Sequence, residues 1–318
     1  MYSSEQLFQI GLLPVVVLNN AAQAVPLAKA LLAGGIPTAE ITFRTDAAVE
    51  SIRRISTQVP EMLVGAGTVT SVSMAEQAVA AGARYIVSPG LNTDVIRWCL
   101  AHEIPVFPGV ATPTEVEQAM GMGLSILKFF PAEQCGGTAM LKALSGPYPQ
   151  LRLIPTGGIG PQNLADYLAL PNVLACGGSW MVPAALIEAG DFTAISALCR
   201  QAVDLLMGLR FAHLGINNAD ETEARRVAAL FCALLGVSPD EKPASIFVGP
   251  QVEVIKYTFR GQNGHIAFFC SNIERAVFHL QQRGIAFNPE SYEYDEKGCR
   301  VVYLAQEFGG FAIHLVRA

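Results

Sequence analysis

The sequence predicts an α/β protein in which an eight-stranded barrel, residues 1–207, precedes a smaller α+β domain, residues 208–318. Up to about Met207, short β-branched runs alternate eight times with amphipathic helical stretches, at a spacing of roughly 20 residues. The polar residues of these runs fall at the strand ends. After Gly208 the alternation gives way to a strand-then-helix unit that occurs twice. These three observations predict one parallel barrel and one duplicated appendage.

The eight runs are short, and each is followed by a stretch with helical apolar spacing, such as DAAVESIRRIS. In chain order the predicted strands are LLPVVVL, AEITFR, LVGAGTV, YIVSPG, PVFPG, ILKFFP, RLIPTGG and VLACGGS. Eight βα units in one domain close into a barrel, so the N-terminal domain is predicted to be a (β/α)8 TIM barrel.

The composition favours a small-molecule partner. The 318 residues are 51% hydrophobic and 15% charged, which suits one large domain or two domains with separate cores. A formal charge of −6 without a basic block argues against nucleic acid or a polybasic membrane surface. The acidic start and the short first apolar run predict a cytoplasmic protein, and seven cysteines without a CxxC pair predict reduced thiols.

Polar and special residues gather where the predicted strands end, which is the face of a parallel barrel that carries active sites. These residues are Arg44, Thr68, Pro89, Pro108, Lys128, Thr156 and Ser179. Strand alternation also directs Glu40, Thr42 and Arg44 to one side, so an acid and a guanidinium can converge in the barrel mouth.

Lys128 interrupts the apolar segment SILKFFPAE, and the next carboxylate along the chain is that of Glu133. A lysine in a dry pocket loses hydration of its charged form, so a neutral nucleophilic amine becomes available. Such an amine attacks ketones, and the protonated imine then withdraws electrons from the neighbouring carbon–carbon bond. The structural alternatives are a side chain that reaches the rim or pairs with Glu133.

Six motifs occur in the order and spacing of one enzyme family: EITFRT, GAGTV, SPG, ILKFFPAE, PTGGI and GGSWMVP. Over about Leu12 to Leu206, the chain resembles the 2-keto-3-deoxy-6-phosphogluconate aldolase family, which also includes 4-hydroxy-2-oxoglutarate aldolase. The resemblance implies a homotrimeric class I aldolase that needs no cofactor and splits a 2-keto-4-hydroxy acid into pyruvate and an aldehyde.

The resemblance also implies the roles of individual residues. Lys128 would form the Schiff base, and Glu40 would shuttle protons between the substrate hydroxyl, the carbinolamine water and the enamine carbon. Arg44 and Thr68 would hold the pyruvate carboxylate. An ion pair between Glu40 and Arg44, and helix capping by Arg44 or Thr68, are the structural alternatives.

The remaining candidates in the barrel shape the pocket. Pro89 and Phe130 resemble the family's apolar walls, although both are also ordinary core residues. Gly157, Gly158 and Ser179 lie after the seventh and eighth strands, where barrels bind phosphate or a terminal carboxylate, and Thr156 is a further substrate-binding candidate at a strand end. The structural alternative is that TGG and CGGS are tight turns only. Because one anion site suits either group, the phosphorylated C6 acid and 4-hydroxy-2-oxoglutarate are both compatible substrates.

Two other interpretations of the barrel stay open at this point. In one, the glycine-rich turns grip phosphate, Lys128 acts only through its charge, and the enzyme is an isomerase or a synthase. In the other, the barrel is a non-catalytic ligand-binding module. Trapping an imine distinguishes the first from an aldolase, and turnover of 2-keto-3-deoxy-6-phosphogluconate excludes the second.

The C-terminal domain contains two βα-type repeats that each open with a histidine on a strand, His213 and His265. It resembles the vicinal oxygen chelate superfamily, which includes glyoxalases. That resemblance implies a divalent metal held by His213, His265, His314 and Glu253, with Zn, Fe, Ni and Mn all suited to such ligands. Two features depart from the family: His314 stands where a glutamate is usual, and the first repeat is predicted to be one strand short.

The alternative for this domain is a metal-free appendage that packs on the barrel or mediates assembly, since a histidine on a strand is often structural. His279, in the helical segment NIERAVFHLQQRG, is predicted to be structural.

Overall fold

The computed structural model describes residues 4–318, and the chain divides into two compact units between Leu206 and Met207. The division falls one residue before the boundary predicted from the sequence.

The N-terminal unit is an α/β, barrel-like fold of parallel strands, and each predicted run contains a strand. The strands are β1 Leu12–Val16, β2 Thr38–Thr42, β3 Leu63–Gly67, β4 Ile86–Val87, β5 Val106–Phe107, β6 Gly109–Val110, β7 Ile126–Phe129, β8 Arg152–Pro155 and β9 Cys176–Gly178. Pro108 has no N–H to donate to a neighbouring strand, and it separates β5 from β6.

Helices alternate with these strands as the apolar spacing predicts. They are α1 Ser4–Ile10, α2 Ala24–Ala33, α3 Ala48–Gln58, α4 Val72–Ala80, α5 Thr93–Ala101, α6 Pro113–Gly121, α7 Gly137–Ser145, α8 Leu164–Leu168, α9 Ala184–Ala189 and α10 Phe192–Met207, with a 3-10 turn at Ala21–Gln23. Ser71, Asn92 and Thr112 accept hydrogen bonds from the first turns of α4, α5 and α6. These caps begin each helix a few residues after a strand ends.

The strands form two parallel sheets in the orders β5-β4-β3-β2-β1-β9 and β6-β7-β8. Two parallel bridges, Thr156 to Gly177 and Leu153 to Val173, join the β8 and β9 segments. All carboxyl ends of a parallel sheet lie at one edge, so Lys128 on β7 and the ends of the other strands meet there.

One cluster of the hydrophobic core of this unit is made of buried side chains from α1 and from the strand segments. They are Leu7, Leu13, Leu63, Tyr85, Val87, Phe107, Ile154 and Leu174. Tyr85 and Phe107 pack with their ring centroids 5.9 Å apart, and α1 contributes Leu7 together with the partly buried Phe8. A filled interior is the expected state of a small parallel barrel.

The C-terminal unit is a mixed β-sheet with two helices. Its elements are β10 Arg210–Ile216, α11 Glu221–Leu235, β11 Pro239–Glu241, β12 Ser245–Val248, β13 Val252–Ile255, β14 Gly264–Cys270, α12 Ile273–Gln282, β15 Glu293–Asp295, β16 Gly298–Phe308 and β17 Phe311–Arg317, with a 3-10 turn at Pro289–Ser291. The prediction that the first repeat is a strand short is wrong. Its extra strand, β11, consists of the polar and wholly exposed residues Pro-Asp-Glu, which carry no hydrophobic alternation.

The order of this sheet is β11-β12-β13-β10-β14-β17-β16-β15. Equivalent strands of the two repeats therefore occupy equivalent positions when the sheet is followed inwards from its two edges. β10 and β14 pair antiparallel at the centre, and each pairs in parallel with the last strand of its own repeat, β13 or β17. The unit is therefore two βαβββ repeats related by an approximate two-fold axis between β10 and β14. The predicted antiparallel pair around Gly309 and Gly310 is β16 and β17.

Membrane-spanning helices and disulfides are both absent from residues 4–318. No helix in this part of the chain combines the length and apolar character needed to cross a bilayer. The seven cysteines are free thiols. Burial raises the pKa of Cys99 to about 11 and that of Cys199 to about 12, so these thiols stay protonated and pack as apolar groups.

Candidate functional sites

Lys128 lies inside the N-terminal unit, where β7 is flanked by β6 and β8. Only 5% of the residue is exposed, and its neighbours Leu127 and Phe129 are fully buried. Its register partner on β6 is Gly109, which has no side chain to compete for the same space. The lysine Nζ lies 3.3 Å from Glu40 Oε1, so the buried ammonium is paired with a buried carboxylate.

Glu40, on β2, is 1% exposed, and its Oε2 atom has no hydrogen-bond partner among the described residues. A Cβ atom at Gly67 would collide with the Glu40 carboxylate, so glycine at that position makes room for the acid. The alternative partners considered from the sequence are not used. Glu133 instead accepts a hydrogen bond from Tyr167, and no salt bridge joins Glu40 to Arg44 in the described part of the chain.

Arg44 and Thr68 meet just beyond the carboxyl ends of β2 and β3. Arg44 Nε donates a hydrogen bond to Thr68 Oγ1 across 3.3 Å. Thr68 has a φ of +57°, which is a left-handed conformation that threonine rarely adopts. Strained backbone of this kind is often found at functional sites, where it positions a side chain.

A cavity of about 420 Å³ opens at this edge of the unit. Six of the predicted substrate-binding residues line it: Arg44, Phe130, Thr156, Gly157, Gly158 and Ser179. Lys128 Nζ lies 5.3 Å from the centroid of the Phe130 ring, which places the amine next to the cavity wall. Pro89 lines a different cavity, of about 470 Å³, together with Ser88 and Thr70.

Glycines just after β8 and on β9 allow the backbone to approach neighbouring groups closely. Gly157 and Gly158 have φ values of +102° and +77°, which favour glycine. A Cβ at Gly158 would come within 2.5 Å of Glu133 Cγ, and one at Gly177 would collide with Thr156 Oγ1. This corner of the cavity can present backbone N–H groups to an anion at close range.

In the C-terminal unit, the four predicted metal ligands converge on one face of the sheet. Ligating nitrogens of His213, His265 and His314 all lie within 4.8 Å of one another. Glu253 Oε2 lies 3.3 Å from His213 Nε2 and 3.1 Å from His265 Nε2. Each repeat therefore contributes a histidine from its first strand and one further ligand from its last strand.

Sheet register explains the convergence. His213 pairs with Ala267, which pairs with His314, while His265 pairs with Gly215, which pairs with Glu253. In each of these two sets of paired residues, a small residue on the middle strand thus lies between the two predicted ligands. A Cβ at Gly215 would collide with the His265 ring, so only glycine leaves the imidazole in its place.

The electrostatics of this cluster suit a cation. Burial opposes the charge on Glu253, but hydrogen bonds from His213, His265 and Ser245 lower the pKa of its carboxyl well below the usual range. Burial, followed by repulsion from His265 and His213, lowers the pKa of His314 to about 3, so this ring is neutral at physiological pH.

Several ring nitrogens in the cluster have lone pairs or protons without a partner in residues 4–318. Both nitrogens of His314 and Nδ1 of His265 are buried and make no hydrogen bond. An unsatisfied buried polar group costs about 1–3 kcal/mol, and a bound ion would satisfy His314 directly. Three imidazoles and one carboxylate match the ligand set of a divalent transition metal. His279 lies outside this group, on α12, packed edge to face against Phe278.

Sequence reasoning missed the residues that support both sites. Ser245 donates a 2.6 Å hydrogen bond to Glu253 Oε1, and the Tyr303 ring packs 4.6 Å from that of His314. Gly67 and Gly215 each leave room for one functional side chain. A pattern of histidine followed two residues later by a small residue, His213 to Gly215 and His265 to Ala267, was the available signal.

Comparisons with known proteins identify the N-terminal unit. Residues 4–198 match the family model described as KDPG and KHG aldolase. The 2-dehydro-3-deoxy-phosphogluconate aldolase of Treponema pallidum is 52% identical over 202 residues, which are 64% of this chain and 96% of that protein. The KHG/KDPG aldolase of Escherichia coli K12 is 46% identical over 203 residues, again 64% of this chain and 95% of that protein.

A solved structure agrees. The KDPG aldolase of Legionella pneumophila, crystallised with pyruvate captured as a covalent carbinolamine intermediate, aligns with a TM-score of 0.61 at 42% identity, covering 63% of this chain and 97% of that protein. These matches leave the C-terminal unit uncovered. The family model matches well over half of the sequence, so the chain belongs to the KDPG and KHG aldolase family and is an aldolase of the lyase class.

Proposed function

We propose that the N-terminal unit cleaves a 2-keto-4-hydroxy acid through an imine on Lys128. The observation that carries this proposal is the buried pair in which Lys128 Nζ lies 3.3 Å from Glu40 Oε1. Glu40 is close enough to take the proton that the ammonium must lose before it attacks. The covalent pyruvate carbinolamine of the Legionella relative supports the same chemistry. No cofactor is required.

The steps follow from these two side chains. The neutral amine of Lys128 adds to the C2 ketone to give a carbinolamine. Glu40 returns its proton to the departing hydroxyl, so that water leaves and an iminium ion forms. Glu40 then takes the proton of the C4 hydroxyl as the C3–C4 bond breaks, and the electron pair moves into an enamine while the aldehyde departs. Protonation of C3 by Glu40 and hydrolysis release pyruvate and restore the amine. The free Oε2 atom of Glu40 is available for these transfers.

The cavity residues would bind the two ends of the substrate. Arg44 and Thr68 would hold the pyruvate carboxylate by charge-assisted hydrogen bonds. Thr156, Gly157, Gly158 and Ser179 would hold the distal phosphate or carboxylate, and Phe130 would keep the imine dry. Pro89 would be an apolar wall on the side of the second cavity. The aldehyde product is then glyceraldehyde 3-phosphate or glyoxylate.

We also propose that the N-terminal unit is a complete (β/α)8 barrel and that the protein is a homotrimer. Support for closure comes from the bridges between the β8 and β9 segments and from Pro108, across which β5 continues into β6. The trimer rests on the family resemblance, and sedimentation at micromolar concentration tests it.

Reduction with borohydride in the presence of pyruvate tests the imine. Trypsin does not cleave after an alkylated lysine, so peptides 98–128 and 129–142 should be replaced by one peptide, 98–142, carrying the pyruvate-derived mass. Lys142 and Lys29 serve as internal controls and should stay unlabelled. Label on either control lysine, or none at Lys128, would contradict the mechanism and favour the isomerase or synthase interpretation.

We propose further that the C-terminal unit is a vicinal-oxygen-chelate-like domain that binds one divalent metal ion through His213, His265, His314 and Glu253. The duplicated βαβββ order and the symmetric origin of the four ligands support this. Such an ion would act as a Lewis acid toward a ligand oxygen.

Metal analysis of protein purified without chelator tests this second proposal. Wild-type protein should carry about one equivalent, and replacing His213, His265 and His314 together by alanine should remove it. His102→Ala, which changes an exposed histidine outside the cluster, is the matched control. A metal-free wild-type protein after reloading would leave the unit as a binding or assembly module.

A further inference from the structure

Arg260 is an exposed arginine beside the histidine cluster, and it forms no salt bridge with any residue in the described range 4–318. Its Cζ lies 4.8 Å from the centroid of the Tyr303 ring and 6.0 Å from that of Phe259. The Tyr303 ring in turn packs against His314, with centroids 4.6 Å apart. The Tyr303 ring therefore contacts both the guanidinium and a histidine of the cluster.

The loop that carries Arg260 is fixed on both sides of it. Asn217, just after β10, donates to Gly261 O at 2.8 Å and accepts from Phe259 N at 3.2 Å. Gly261 has a φ of +79°, and a Cβ there would collide with Gly264 O. This arrangement holds the backbone that flanks Arg260 and so limits the positions that the guanidinium can reach.

Within residues 4–318, the guanidinium of Arg260 makes aromatic contacts and donates no side-chain hydrogen bond. A guanidinium that lies over an aromatic ring keeps its in-plane N–H groups, which match the two oxygens of a carboxylate. The aromatic contacts position the cation without neutralising it.

The charge balance of the cluster favours the same class of ligand. Three neutral imidazoles and one carboxylate around a divalent ion leave a net positive charge, to which Arg260 adds its own. This charge favours a negatively charged ligand, and the contact of Tyr303 with both Arg260 and His314 favours an anionic group close to the metal-binding oxygen.

We propose that the C-terminal site binds a small organic acid whose carboxylate pairs with Arg260 and whose neighbouring oxygen reaches the metal ion. A 2-oxo acid such as pyruvate has this pattern. The proposal rests on the metal site proposed above, and it assigns to Arg260 the selection of anionic ligands.

Cobalt(II) substitution gives a readout other than turnover, because the visible absorption of the bound ion responds to its ligands. The triple histidine variant is the blank that separates this site from Lys128. Titration with pyruvate should change the spectrum, whereas pyruvamide, which keeps both oxygens and lacks the charge, should bind at least about tenfold more weakly. Inorganic phosphate, which is an anion without a carboxylate beside an oxo group, should change the spectrum only at higher concentrations than pyruvate.

Three arginine variants complete the test. Arg260→Ala should weaken pyruvate binding about tenfold to a hundredfold, Arg260→Lys should weaken it less, and Arg226→Ala should leave it unchanged. Arg226 is an exposed arginine already paired with Glu223. Failure to bind cobalt would overturn both proposals. Cobalt binding together with equal pyruvate affinity in Arg260→Ala and wild type, or a preference for phosphate or pyruvamide over pyruvate, would overturn this one alone.

Discussion

The two centres of this chain are assembled in opposite ways. In the N-terminal unit, chemically different residues come from different βα units, and Lys128 and Glu40 meet although they are 88 positions apart in sequence. In the C-terminal unit, two copies of one repeat supply ligands at equivalent positions. Unlike residues can divide a multistep proton transfer between them, whereas like residues around an approximate two-fold axis surround a single point, as an ion requires.

Both centres nevertheless depend on the same local feature. Gly67 leaves room for the Glu40 carboxylate, and Gly215 leaves room for the His265 ring. Neither glycine has a positive φ, so each is required by space and not by backbone conformation. Each variant described next should affect one site only. An effect on both sites would contradict the view that the two sites are independent.

The largest effect is expected at Lys128. Lys128→Met should lower the cleavage rate on the order of 10⁴-fold or more, because the variant lacks the amine proposed to form the imine and no lysine within residues 4–318 lines the cavity. Its metal content should match that of wild type. Lys142→Met, which changes an exposed lysine on α7, is the control and should keep full turnover; substantial cleavage by the Lys128 variant would contradict a Schiff-base mechanism.

A smaller loss is expected at Glu40. Glu40→Gln should slow exchange of the pyruvate methyl protons with solvent by about 10² to 10⁴-fold, because the amide cannot accept a proton. Imine formation should still be detectable by borohydride trapping. Glu76→Gln, on the exposed side of α4, is the control. Wild-type exchange in Glu40→Gln would reduce the acid to a structural partner of the lysine.

The two glycines give the smallest and most specific pair of effects. Gly67→Ala should lower aldolase turnover up to about 10²-fold by displacing Glu40, and should leave metal affinity unchanged. Gly215→Ala should lower metal affinity about 10- to 100-fold by displacing His265, and should leave turnover unchanged. Turnover and metal affinity measured on both variants form a double dissociation.

Gly121→Ala is the control for this pair, because a Cβ at that position meets no atom within 4 Å. Equal effects of Gly67→Ala and Gly215→Ala on both measurements would indicate general destabilisation. They would contradict the explanation that each glycine leaves room for one functional side chain.

The sequence predicts most of the N-terminal fold because each βα unit is a local pattern. The polar strand β11 escaped prediction because its three exposed residues show no alternation. The partner of Lys128 also could not be read from local sequence. The nearest acid along the chain is Glu133, but parallel strand order places Glu40 beside the amine instead.

The sites show the same limit. The matching histidines of the two repeats were visible in the sequence, and the structure brings them together with His314 and Glu253. Ser245, Tyr303 and Arg260 were not singled out, since their roles depend on sheet register and on a loop held by Asn217. Residues that act through a neighbour in space leave little trace in a single sequence.

The most direct test of two independent centres is aldolase turnover in metal-stripped and metal-reloaded protein, with metal content measured on the same samples. The imine chemistry proposed for Lys128 and Glu40 uses no ion, so turnover should stay constant while the C-terminal site goes from empty to about one equivalent. Turnover that rises and falls with metal content would contradict the assignment of cleavage to the N-terminal pair alone.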